Sequence, residues 1–151
     1  MTVNILNEIL QRHPFAQELQ PHHLEMLAEM AHEVKFDKDW IIFQEGDECS
    51  KFYLIVLGKV ALELKGPRRS YLIQTLGPGD ELGWSSVLMK DGKHFQARAL
   101  ESVRALEFDG THLLDACRED PVFGYALMYR LLGVVSKRLQ ATRLQLLDLY
   151  A

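Results

Sequence analysis

The side chains able to do covalent or metal chemistry are few and poorly grouped. Six histidines stand at His13, His22, His23, His32, His94 and His112. A metal enzyme on a small β-barrel needs a His-x-His pair, a carboxylate and a later histidine on facing strands. That spacing is missing: the first four histidines fall in an N-terminal stretch that reads as helical, and only His94 lies near a strand. Ser85 and Ser86 lack the Gly-x-Ser-x-Gly setting of a nucleophile elbow. Cys49 and Cys117 make no disulfide framework, and two reduced thiols are expected. No catalytic or metal-binding residue is assigned, and an enzyme is not expected.

The elements that would position any other site fall into three regions. Residues 3–34 carry helical spacing: Ile5, Leu6, Ile9 and Leu10 share one face, His13-Pro14 interrupts, and Pro21 opens a second run through Leu24, Leu27, Ala28, Ala31 and Val34. Residues 35–109 hold short apolar runs separated by Gly-rich turns at intervals of about ten residues, the pattern of an antiparallel barrel or sandwich. Its inner face is predicted to hold Phe43, Tyr53 or Leu54, Val60, Leu62, Ile73 and Ala99. Residues 111–150 are helical, with a break near Asp120-Pro121 and then a helix of roughly 28 residues. Along it Tyr125, Met128, Leu132, Val135, Leu139, Thr142, Leu146 and Leu149 alternate at spacings of three and four, a heptad seam too long for one small barrel to cover. The whole reads as a single domain over 1–151, mainly β with flanking helices.

The composition agrees. The 151 residues are 48% hydrophobic and 25% charged, which excludes disorder and collagen-like classes. The net charge of −4 argues against a protein that coats nucleic acid. The first residues lack a signal-peptide pattern and no apolar run reaches membrane length, so a cytoplasmic protein with no membrane partner is expected.

Several ordered landmarks carry a family resemblance. They are Phe43-x-Glu45-Gly46-Asp47, then Phe52-Tyr53-Leu54-Ile55-x-x-Gly58-Lys59-Val60, then Leu76-x-Pro78-Gly79-Asp80-Glu81-Leu82-Gly83, and finally Arg98-Ala99 and Val103-x-Ala105-Leu106. Their order over about residues 15–150 resembles the cyclic-nucleotide-binding domain of catabolite activators and of protein kinase A regulatory subunits. The resemblance implies a jelly-roll-like β-roll (a double-stranded antiparallel β-helix), N-terminal helices and a long C-terminal dimerisation helix. It also implies a cassette in which Glu81 accepts a ribose hydroxyl. There the backbone at Leu82 and Gly83, with Ser85 and Ser86, would meet a phosphate at a helix start.

The family's phosphate-binding Arg-Ser/Thr pair is replaced here by Lys93-His94. Lys93 offers a point charge without a bidentate fork, and His94 is cationic only at low pH. Arg98 is a weaker candidate, because the family's residue there faces outward. Trp84 is expected to fill core or to shrink the pocket. Arg138-Leu139-Gln140-Ala141-Thr142 is similar to the activator segment whose Thr reaches the purine. Thr142 has two readings: a contact to the base, or a helix Thr bonded to its own upstream carbonyl.

The expected function is a regulatory sensor that binds cyclic AMP, cyclic GMP or a related phosphorylated ligand and signals as a homodimer. The alternative is a degenerate fold that binds no small ligand and docks or dimerises. No cofactor is expected. The chain ends at Ala151 without the helix-turn-helix of the activators, so direct DNA binding is not expected and the output partner is an unidentified protein.

Overall fold

The computed structural model describes residues 3–17, 19–44, 46, 50–84, 88 and 95–150. Two N-terminal helices, α1 (Val3–Arg12) and α2 (Pro21–Met30), flank a 3-10 turn at Pro14–Ala16. Eight strands follow: β1 (His32–Phe36), β2 (Ile41–Phe43), β3 (Lys51–Leu57), β4 (Val60–Lys65), β5 (Ser70–Leu76), β6 (Glu81–Leu82), β7 (Gln96–Ala99) and β8 (Val103–Asp109). Two helices close the chain, α3 (Gly110–Glu119) and α4 (Pro121–Tyr150). The strands make two four-stranded sheets, β1-β8-β3-β6 and β2-β7-β4-β5. Every pairing is antiparallel. This is the expected β-roll with helices at both ends. No helix among the described residues is long and apolar enough to cross a membrane.

Period-two alternation divides the interior. From β3, Tyr53 and Ile55 enter the space between the sheets with Phe43, Val60, Leu62, Leu82 and Ala99. Phe52 and Leu54 turn to the other side and pack with Leu6, Leu10, Leu27, Phe123, Leu127 and Leu131 from the helices. Strand β8 behaves alike, with Ala105 inside the roll and Leu106 and Phe108 under the helices. Both faces of β3 are dry from Phe52 to Ile55, which explains its continuous apolar run, whereas β8 intersperses the partly exposed Arg104, Glu107 and Asp109 among its buried residues. The choice between Tyr53 and Leu54 for the inner face resolves to Tyr53. Ile73 is only half-buried, because β5 is an edge strand.

The expected helix through Val34 is corrected. It ends at Met30, and His32–Phe36 pairs in register with β8, His32 opposite Glu107 and Phe36 opposite Val103. Ladder bonds and the β-branched Val34 favour the strand there over the continued helical spacing. His32 therefore lies on a strand, not a helix. His13 ends α1 as a neutral ring: its Nε2 donates to the Ile55 carbonyl at 2.9 Å and its Nδ1 accepts from the Phe15 amide at 3.2 Å. Burial holds its pKa below the usual histidine range.

Two turns set the strand ends. Gly58, between β3 and β4, has φ +94°, and a Cβ there would stand 2.4 Å from the Ser102 carbonyl oxygen and 2.9 Å from Val103 Cα. The turn 77–80 carries Pro78 and then Gly79 at φ +91°, closed by the Asp80 amide on the Gly77 carbonyl at 3.0 Å, as a type II turn requires. A Cβ on Gly79 would meet only the ring of Pro14, at 3.0 Å. Gly58→Ala is expected to cost about 3 kcal/mol or more, from left-handed strain plus a clash with fixed backbone. Gly79→Ala should cost about 1–2 kcal/mol, from strain alone. Urea unfolding of the two variants checks the ranking, and equal losses would contradict it.

Candidate functional site

The turn 77–80 hangs on β3. The Gly79 amide donates to the Ile55 carbonyl at 3.0 Å, the Ile55 amide to the Asp80 carbonyl at 2.9 Å, and the Gly77 amide to Asp80 Oδ2 at 2.8 Å. These bonds deliver the chain into β6, where Glu81 stands opposite Leu54 and Leu82 opposite Tyr53. Glu81 is 2% exposed. Its Oε1 is ion-paired with the Arg138 guanidinium of α4, which also donates to the Glu81 carbonyl oxygen at 2.7 Å. Its Oε2 is buried with no hydrogen-bond partner among the described residues. Burial pushes its pKa up to about 7, against the opposing pull of Arg138 and with a smaller push from Asp80. A buried carboxyl in this state accepts or donates a hydrogen bond at neutral pH.

Arg138 stands between two cavities. One, of about 460 Å³, is lined by Asp80, Glu81, Arg130, Gly133 and Lys137 among others. The second, of about 240 Å³, lies between the roll and α4 and is lined by Phe43, Leu62, Ile73, Gln74, Leu82, Gly83, Trp84, Phe95, Val135, Arg138, Leu139 and Thr142. Its walls are mostly apolar, with Arg138 as the charge and Thr142 as a hydroxyl, a lining suited to a flat apolar group with a polar edge. Thr142 donates to the Arg138 carbonyl at 2.9 Å, so the upstream-carbonyl reading is the bond present, and its side chain still borders the cavity.

The structure thus brings together Glu81, Leu82, Gly83 and Thr142 around one space. Ser85, Ser86, Lys93 and His94 lie outside the described residues, as does Cys49. Trp84 is half-buried and lines the smaller cavity. Arg98 faces the outer side, as expected, between the inward Ala97 and Ala99. Its Nε and Nη2 bind the two carboxylate oxygens of Glu63 at 3.1 Å each, and Nη1 reaches Asp39 at 3.1 Å. This fork holds the Glu63 carboxyl below its usual range and leaves Arg98 committed to carboxylates.

Arg138, which the sequence marks only as part of the segment ending at Thr142, is a site residue in its own right. A signal was present: it lies four residues before Thr142 and seven after Leu131, on the helix face toward the roll. The seam residues are unevenly covered, and Val135, Leu139 and Thr142 among them border the cavity against the roll. Tyr125, Leu132, Leu139, Leu146 and Leu149 are exposed, and Met128 and Val135 are half-buried.

Comparison with known proteins agrees with this geometry. The family model described as the cyclic nucleotide-binding domain matches residues 33–120. The chain is 28% identical over 145 residues to a CRP-like cAMP-activated global transcriptional regulator of Mycobacterium tuberculosis, covering 95% of this chain and 63% of the relative. It spans less than two thirds of that protein's length. A solved cyclic nucleotide-binding domain from Methylobacillus flagellatus superposes with a TM-score of 0.82 at 18% identity, covering 97% of this chain and 83% of the other. The Thermus thermophilus catabolite activator protein gives 0.74 at 24% identity, covering 91% and 63%. At those identities the two structures bear on the fold alone.

Glu81 makes stability depend on pH. Its folded pKa lies above the ordinary 4.5, so the folded chain keeps a proton that the unfolded chain releases. The stability this confers is complete below about 4.5 and is lost as pH rises toward about 7. Relative to Glu81→Gln, the wild type should lose about 2–3 kcal/mol between pH 5 and pH 8 in urea titrations. Parallel pH profiles for the two proteins would contradict this environment for Glu81.

Proposed function

Because the chain belongs to the cyclic nucleotide-binding domain family, we propose that it is a regulatory sensor that takes a cyclic purine nucleotide, or a related phosphorylated ligand, between the roll and α4. The observation that carries the reading is the buried Glu81, whose Oε2 has no partner among the described residues and whose Oε1 is held by Arg138 of α4. A sugar hydroxyl donating to Oε2 would satisfy that oxygen and favour the ionised carboxyl. The base would lie along Leu139 and Thr142 in the smaller cavity. The phosphate is proposed to meet the chain after Glu81, from Leu82 to Ser86, with Lys93 and His94 as candidate cations beside the Arg138 that lines the cavity. By favouring the ionised carboxyl, a hydroxyl on Oε2 also changes how firmly Glu81 holds Arg138, and so shifts the equilibrium position of α4. This is a binding function, and catalysis forms no part of it.

The replacement of the family's Arg-Ser/Thr pair by Lys93-His94, with Arg98 engaged by Glu63 and Asp39, favours a second reading. In it the fold binds no small ligand and acts as a docking module. Calorimetric titration with cyclic AMP and cyclic GMP separates the two. Losing two charge-assisted hydrogen bonds, each worth roughly 1.5–3 kcal/mol, weakens binding at least about a hundredfold. Cyclic AMP is therefore expected to bind weakly, and Glu81→Ala should weaken it by a further tenfold or more, at about 1.4 kcal/mol per tenfold. No heat with either nucleotide would favour the docking module. Submicromolar binding untouched by Lys93→Ala and His94→Ala would put the phosphate elsewhere.

The output is proposed to pass through a homodimer. Tyr125, Leu132, Leu139, Leu146 and Leu149 are 74, 64, 50, 49 and 80% exposed. An apolar stripe of this length marks an interface, and a parallel two-fold pairing of α4 covers it. Wild type is expected to be dimeric in light scattering, and Leu139→Glu with Leu146→Glu should give a folded monomer. A monomeric wild type at working concentration refutes this.

A further inference from the structure

Away from the nucleotide cavity, three metal-ligand side chains converge where α2 meets the joint of α3 and α4. His22 and His23 follow Pro21 in the first turn of α2. Asp120 ends α3, and its Oδ1 accepts the Phe123 amide at 3.1 Å, capping α4. The other oxygen, Oδ2, faces both rings: it lies 3.2 Å from His23 Nε2 and 3.7 Å from His22 Nε2. One ligand atom from each of the three residues lies within 4.8 Å of the others. None of the three lines either cavity beside Arg138.

We propose that His22, His23 and Asp120 bind a divalent transition-metal ion of the zinc, cobalt and nickel class, stapling the start of α2 to the start of α4. With bonds of about 2.0–2.1 Å, neighbouring ligand atoms around a tetrahedral ion stand about 3.3 Å apart. The two separations to Oδ2 bracket that value, and all three ligand atoms already lie within 4.8 Å of one another. Two imidazoles with one carboxylate suit a borderline cation and disfavour calcium or magnesium, which take oxygen donors. His23 is 1% exposed and packs on the Phe123 ring at 5.3 Å, so its position is fixed. His22 is mostly exposed and leaves the ion an entrance and an open coordination position.

The surroundings also set the strength. Coordination through Nε2 puts the His23 ring proton on Nδ1, which is buried without a hydrogen-bond partner among the described residues. Outer-shell acceptors on the second nitrogen usually raise affinity. Its lack here gives micromolar binding, not the tighter grip of a structural zinc site.

The test uses tag-free, chelator-stripped full chain titrated with zinc chloride by calorimetry, and with cobalt chloride by visible absorption. One ion per chain should bind with micromolar affinity. Zinc at about a hundred times Kd should raise Tm by about 5–10 °C. His22→Gln and Asp120→Asn should each weaken binding at least about tenfold. Asn retains the helix cap, so Asp120→Asn should keep the metal-free Tm near that of wild type. No saturable binding at millimolar zinc would overturn the proposal, and so would saturable binding that both variants leave unchanged. Nucleotide titrations do not enter the result, so the outcome is independent of the sensor reading.

Discussion

Strand β3 has no wet face from Phe52 to Ile55, and the rest of the molecule is arranged around that. Phe52 and Leu54 must be covered by helices while Tyr53 and Ile55 must be covered by the opposite sheet. A slip of one residue would exchange the two sets, so the register of β3 against β8, with Phe52 opposite Phe108 and Leu54 opposite Leu106, is fixed by both cores at once. The site inherits this precision. Glu81 is placed by pairing with Leu54, and the turn before it is tied to both backbone groups of Ile55. The His13 ring takes a second bond to the Ile55 carbonyl, so one residue of the shared wall positions the N-terminal turn and the site turn together.

The long helix is held to this wall in two different ways. Its first half is fixed by burial: Phe123, Leu127 and Leu131 are at most 1% exposed and join the helical core. Full burial of such side chains contributes about 1.5–3 kcal/mol each. Beyond Leu131 the attachments are largely polar. Arg138 pairs with Glu81, and Gln145 donates to the Ile73 carbonyl at 3.1 Å. A buried carboxyl whose proton affinity is raised by burial and lowered by one arginine is a contact near balance. Small changes at Glu81, in protonation or in hydrogen bonding, therefore act on the half of α4 that burial does not fix.

Much of this was legible in the sequence because it rests on periodicity. Alternation gave the inner face, the Gly-rich turns gave the strand ends, and Pro21 and Asp120-Pro121 marked helix starts. The boundary at Val34 was misread because its spacing continues the helical pattern while its partner, Ala105 on β8, lies 71 positions away. Arg138 was missed for a related reason. A cation on a helix face looks solvated until the fold brings a buried carboxylate to it from 57 positions earlier. His22, His23 and Asp120 come together from a helix start and a distant helix cap, a grouping that no local spacing in the sequence marks. Local rules describe elements well, and they say little about which elements meet.

The uncovered leucines of α4 also bear on how its end is held. Residues 141–150 are all exposed, and they include Leu144, Leu146, Leu147 and Leu149. Among the described residues, the hydrogen bond from Gln145 to the Ile73 carbonyl is what ties them to the roll. A helical end of this length is marginal on its own, since isolated helices shorter than about 12–15 residues gain too little from propensity. Its order must come from continuity with the buried first half and, in the homodimer proposed above, from the partner helix over the leucines. Arg138 lies at the point where these two sources of order meet, after the last fully buried residue and directly before Leu139. A contact there is placed to affect the covered and the uncovered part of the helix together, with no rearrangement needed inside the roll.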